Sequence, residues 1–221
     1  MNKIKYIVAV LIAIAGMGLQ QAKAFESDLN AGNPAIAGFA GPYGHVSIIL
    51  VNSTTATVTF TGNTVAGNTY LFGGVDAVDL NVNATTFSVS NIIGTNAGTG
   101  FTPGGFTQDA AGNVDGLGIF NLRIKSFDGF THASDTITFT LTNTSGTWAT
   151  QADVVTLNAS GFDAAAHIFV TTSPANASNS ALATGFAGEG PPGNVPDGGT
   201  TVMLLGAALG ALGMARRFLM S

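Results

Sequence analysis

Cysteine is absent from all 221 residues. No disulfide can staple the fold, and neither thiolate chemistry nor a cysteine-ligated metal is open to the chain. Charge is scarce too, with Asp, Glu, Lys and Arg making up 9% of the sequence. Between Phe25 and Asn194 the only bases are Arg123 and Lys125, against eleven acids, a net charge of −9. A surface so poor in cations cannot neutralise phosphates, which excludes nucleic acid as a partner. It also leaves little to stabilise an anionic transition state, and neither a Gly-x-Ser-x-Gly elbow nor a His-Glu-x-x-His helix occurs. Nine aspartates and two glutamates in this segment can always supply some glycosidase-like pair, so their number does not argue for one. The chain is expected to be noncatalytic and to need no cofactor.

What is present is organised from the two ends. Lys3 and Lys5 precede an apolar run from Tyr6 to Leu19, and Ala22-Lys23-Ala24 offers the small residues a signal peptidase cuts after. Residues 1–24 therefore read as a secretory signal peptide, and the mature chain is expected to begin at Phe25. At the other end, Val202 to Ala215 carries no charge and no polar face, and Arg216-Arg217 follows it. Fourteen residues at ~1.5 Å rise reach about 21 Å, short of the ~30 Å hydrocarbon core, so this single membrane helix is a marginal span. The arginines hold its end in the cytoplasm and leave the body outside. Gly206-x-x-x-Gly210 gives the helix a smooth face for another helix, which suits a substrate better than a resident anchor. Just before it, Pro196 and the pair Gly198-Gly199 resist helix, so this stretch should stay open to a protease.

The order Val195-Pro196-Asp197-Gly198-Gly199-Thr200, apolar run, paired arginines resembles the PEP-CTERM class of bacterial sorting signals, most closely its VPDSG-CTERM variant. Gly198 or Gly199 stands where that variant has serine. The resemblance implies a membrane-embedded transpeptidase, an exosortase, that reads residues 195–200 and cuts near them. It further implies an inner-membrane intermediate, then deployment at the cell surface or in the extracellular matrix of a Gram-negative bacterium, with exopolysaccharide as a partner. From about Val114 to Gly188 the body is also similar to PEP-CTERM proteins, in Asp115-Gly116-Leu117-Gly118-Ile119-Phe120-Asn121-Leu122, Phe127-Asp128-Gly129-Phe130 and Ala164-Ala165-Ala166-His167-Ile168-Phe169-Val170. This second likeness implies export and a β fold, and no activity.

The body, residues 25–190, is one domain by size. Ala56, Val58 and Phe60 alternate with threonines, as do Ile137, Phe139 and Leu141; Val78, Leu80 and Val82 alternate with Asp79, Asn81 and Asn83; Phe120, Leu122 and Ile124 alternate with Asn121, Arg123 and Lys125. Period two means one buried and one wet face. Less regular strands are expected over 46–51, 68–72, 86–93, 153–158 and 165–171. With no sustained helical period, the class is all-β, an antiparallel β-sandwich whose core includes Phe60, Leu80, Phe120, Leu122, Phe139 and Leu157. The glycine-rich stretch 94–118 reads as a surface loop or ragged edge hairpin, and 174–195 as a tether that runs into the linker and sorting segment, residues 191–221.

Few residues suggest a site. His45, His132 and His167 share no ligand spacing, and His167 lies in an apolar strand. Asp79-x-Asn81-x-Asn83 imitates a calcium loop, but Ala84 replaces its glycine, so it reads as the wet face of a strand. Asp109, Asn113 and Asp115 form a better calcium candidate, with Asx turns opening the next strand as the alternative. Trp148, the only tryptophan, either plugs the core or stacks on a sugar; Tyr43 and Tyr70 are lesser sugar candidates. Five Asn-x-Ser/Thr sequons, at Asn52, Asn83, Asn143, Asn158 and Asn176, read as a by-product of composition. The sequence thus points to an exported, noncatalytic surface or matrix protein, with a carbohydrate- or calcium-dependent adhesion module next and a secreted hydrolase last.

Overall fold

The computed structural model describes residues 24–127 and 129–189. Of the signal peptide expected over residues 1–24 all but Ala24 lies outside them, as does everything from Gly190 on, including the sorting motif, the apolar run and Arg216-Arg217. The described chain is all-β and antiparallel. Its strands are β1 (Phe25–Gly32), β2 (Gly44–Asn52), β3 (Thr55–Gly62), β4 (Thr64–Val65), β5 (Asn68–Phe72), β6 (Val78–Leu80), β7 (Phe87–Asn96), β8 (Thr107–Asp109), β9 (Gly112–Val114), β10 (Gly118–Phe120), β11 (Leu122–Lys125), β12 (Ser134–Asn143), β13 (Ala164–Thr172) and β14 (Ala183–Glu189), with 3-10 turns at Phe130–His132 and Gln151–Val154.

The two separate sheets of the expected sandwich are not what forms. One continuous sheet runs β4-β5-β12-β3-β2-β1-β14-β13-β6-β11-β8, with β7 added beside β12, and β5 pairs with both β12 and β13 so that the ladders close a circuit. The period-two residues explain the interior. Val46 and Ile48 of β2, Val58 and Phe60 of β3, and Ile137, Phe139 and Leu141 of β12 enter one cluster with Leu80 of β6, Leu122 and Ile124 of β11, and Ile168 of β13. Phe60 lies between Phe72 and Phe139, with ring centroids 6.2 and 6.4 Å away. Where β3 meets the β4–β5 hairpin only glycine fits, because a Cβ on Gly62 would stand 2.1 Å from the Tyr70 carbonyl oxygen. β9 and β10 form a separate two-stranded hairpin. From it Val114, Leu117 and Phe120 bury Ala165 of β13, so Phe120 is interior but belongs to this smaller cluster and not to the main core.

Several expectations need correction. Leu157 is 52% exposed, because residues 153–158 do not form a strand: Gln151–Val154 is a 3-10 turn, only Val155 bridges back to Val82, and Asn158 then bends the chain through a turn. Asp79 does not lie on a wet face; it is 1% exposed, opposite Arg123 on one side and the covered Ala165 on the other. The stretch 94–118 contributes the end of β7 together with β8 and β9, and it buries Phe101 and Phe106. The expected tether contains β14, which pairs with β1 on one side and β13 on the other. Between them β1 and β14 link the β2–β3–β12 half of the circuit to the β13 half.

Candidate functional site

An open pocket of about 400 Å³ is formed by Val82, Asn83, Ala84, Thr85, Asn143, Ser145, Gly146, Thr147 and Thr156. Three segments build it: the β6–β7 connection, the turn after β12, and the extended stretch after the second 3-10 turn. The β6–β7 connection is held by Asn121, whose Oδ1 accepts from the Val82 N–H at 2.7 Å while its Nδ2 donates to the Val82 carbonyl at 2.8 Å. Beneath it, Trp148 Nε1 donates to the Asn83 carbonyl at 2.8 Å, and Asn83 Nδ2 donates to the Asp153 carbonyl at 3.0 Å. The turn after β12 is set by Asn143, whose Oδ1 accepts from the Ser145 N–H at 3.0 Å and its hydroxyl at 3.1 Å. The Ser145 hydroxyl in turn accepts from the Thr86 N–H at 3.1 Å, and Thr86 and Thr144 join through their hydroxyls at 2.8 Å.

This bonding leaves a definite set of groups free. Asn143 Nδ2, Asn83 Oδ1 and the hydroxyls of Thr85, Thr147 and Thr156 have no protein partner among the described residues. No lining residue carries a charge.

Trp148, offered by the sequence as a sugar platform, is 2% exposed and part of the core, so it presents no ring face to a ligand and instead supports the pocket floor. Removing its indole N–H should matter. Trp148→Phe leaves the Asn83 carbonyl without its donor and opens a void, at a cost of about 2 kcal/mol. For a domain of this size that is a melting temperature lower by about 6 °C in a thermal scan. Tyr43 is also buried, its hydroxyl donating to the carbonyls of Ile36 and Phe39, and Tyr70 is fully buried.

Two of the three calcium candidates are engaged in other contacts. Asp109 pairs with Lys125 at 2.9 Å, which with the Ala110 N–H holds its carboxyl below the usual range, while Asp115 accepts from Asn33 Nδ2 at 3.2 Å. Asn113 lies between them on β9. Among the described residues no three His, Asp or Glu side chains gather as a metal would require. The histidines stay apart. His45 Nδ1 meets Asp28 at 3.0 Å and its Nε2 meets Glu26; burial pulls its pKa down, but those two carboxylates outweigh it and raise the pKa. His132 Nδ1 donates to the Thr102 carbonyl at 2.8 Å, and His167 stacks on Phe186, with centroids 4.7 Å apart.

Four of the five sequons have a structural reason. Asn52, Asn143, Asn158 and Asn176 each accept, through Oδ1, the N–H two residues on, so Asn-x-Ser/Thr marks an Asx turn four times over. One of these turns shapes the pocket.

Away from the pocket lie the strained carboxyls that the sequence did not single out. Asp76 is ion-paired to Arg123, and both are largely buried. Asp79 beside them finds no hydrogen-bond donor for either oxygen; burial, then the charge of Asp76, push its pKa well up against the opposing pull of Arg123. Asp163, 7% exposed, is raised to about 8 by burial and then by the hydrogen bond and charge of Glu189. The signal to be found was a carboxylate placed among small apolar residues, as in Phe162-Asp163-Ala164-Ala165.

The VPDSG-CTERM motif matches residues 194–218. This places a PEP-CTERM-type sorting signal at the end of the chain and implies an exported, membrane-transiting protein processed by an exosortase-type enzyme. The match covers the tail and not the β domain. No curated protein and no solved structure resembles the chain significantly.

Proposed function

We propose that this chain is a noncatalytic β-domain protein that an exosortase-type enzyme cuts at Val195 to Thr200 and that is deployed at the surface or in the extracellular matrix of a Gram-negative bacterium, in association with exopolysaccharide. The observation that carries the reading is the match over residues 194–218, followed through by the charge-free run and Arg216-Arg217. Absence of catalysis is supported by where the perturbed acids lie. Asp79 and Asp163 are buried, and among the described residues neither they nor any other acid lines this pocket, so no glycosidase-like pair faces it. Binding of carbohydrate without calcium is the second reading, favoured by the uncharged pocket.

The delivery step is tested by Pro196→Ala in the native host. The variant is expected to stay in the membrane fraction with its tail attached, while the wild-type chain reaches the surface or medium. Equal delivery of both would mean that Pro196 is not read by the processing enzyme.

A further inference from the structure

We propose that the pocket between the β6–β7 connection and the turn after β12 binds a neutral polysaccharide directly, an inference that rests on the matrix-association reading and gives it a site. Its free groups are one amide donor, Asn143 Nδ2, one amide acceptor, Asn83 Oδ1, and the hydroxyls of Thr85, Thr147 and Thr156, which both donate and accept. That set matches a ligand whose own groups are hydroxyls. It holds no cation to pair with a carboxylate, sulfate or phosphate, and the domain's net negative charge repels one. The half-buried Ala84 adds a small apolar spot for the C–H side of a sugar ring, with the buried Val82 behind it. The volume, about 400 Å³, falls in the ~300–1,000 Å³ range of small-ligand sites, and an open shape lets a chain pass through where a closed one would admit only its end.

The donor and acceptor are also fixed in advance. Asn143 is 7% exposed and locked by its Asx turn, and Asn83 is held by Trp148 and Asp153, so little side-chain freedom is lost on binding. Beyond Asn143 the same chemistry continues on the outer face of β3 and β12, where Thr55 faces Thr142, Thr57 faces Thr140, Thr59 faces Thr138 and Thr61 faces Thr136. Ser88 and Ser90 of β7 extend two of these rows. β-branched threonines are stiff at χ1, so eight hydroxyls stand in fixed rows along which a chain leaving the pocket can lie.

The test is affinity electrophoresis of the mature protein in native gels containing a neutral glucan, mannan or galactan, with alginate as the anionic comparison. At least one neutral polymer is expected to retard the wild-type protein, in chelator as well as without it, and alginate is not. The double variant Thr85→Val, Thr147→Val keeps shape and removes two hydroxyls; it should weaken retardation by about tenfold. Asn143→Asp keeps the acceptor of the Asx turn and loses the donor, and should weaken it similarly. Melting temperatures close to wild type show that the variants are folded. Retardation by no neutral polymer, by alginate alone, or equally for wild type and both variants would overturn the proposal. If the protein is delivered and processed normally in its host yet none of the neutral polymers retards it, the site fails while the delivery reading stands.

Discussion

Between pH 5 and pH 8 the melting temperature of the domain should fall by about 10 °C, because Asp163 must release a proton that the fold holds. An acid whose folded pKa lies above its unfolded value of ~3.9 binds an extra proton in the native state. The stability this brings is complete below about pH 4 and is lost as the pH climbs through about 8, the value to which burial and Glu189 raise Asp163. At ~1.4 kcal/mol per pH unit, three units amount to about 4 kcal/mol. Asp79, raised by burial and Asp76, and His45, raised by its two carboxylates despite burial, push in the same direction. Asp109 is held low by Lys125, so it loses its contribution only at pH values below this window. Asp163→Asn supplies an amide donor to Glu189 in place of the proton. The variant should melt near the wild type at pH 5 and well above it at pH 8. A wild-type melting temperature that is flat or rising from pH 5 to 8 would refute this assignment.

Arg123→Met should lower stability by about 3–5 kcal/mol and the melting temperature by about 10 °C. Methionine keeps an unbranched apolar stem, so the loss isolates the charge. Arg123 and Asp76 are 15% and 8% exposed, and without the guanidinium Asp76 is left as a buried, unpaired carboxylate next to Asp79. Adding Asp76→Asn to Arg123→Met should therefore restore much of the loss, a coupling that a double-mutant cycle of thermal melts reads directly. Additive effects would show that the pair is not a unit.

The sequence was most legible where one face of a strand is buried and the other is not. β3 and β12 have Phe60, Phe139 and Leu141 inside and threonine outside, and the period-two reading of them holds from Thr55 to Phe60 and from Thr136 to Asn143. β1 and β14 are not legible because their inward residues carry little hydrophobic signal, Leu29 being the one large apolar side chain fully buried among them. β1 turns Ser27 and Leu29 inward between exposed Glu26 and Asp28, and β14 turns in Gly185 and Ala187. Size decides β14: a Cβ on Gly185 would come 2.5 Å from Asn33 Oδ1. Asp79 was misjudged for the opposite reason, since alternation assigns it to a wet face and only the fold places it opposite Ala165, under the β9–β10 hairpin. The pocket was invisible because Asn83 and Asn143 lie 60 positions apart in the sequence and come together only when the turn after β12 meets the β6–β7 connection. Trp148 drew notice as the only tryptophan, but its role is to hold Asn83 from below.

Delivery of the β domain through its tail, and its parting from that tail, is tested most directly by the intact mass of the protein recovered from the surface or medium of the native host. The recovered chain is expected to begin at Phe25 and to end within or just after Val195 to Thr200, with or without the mass of an attached group. A recovered chain that still carries Val202 to Ser221 would contradict this and make the tail an anchor.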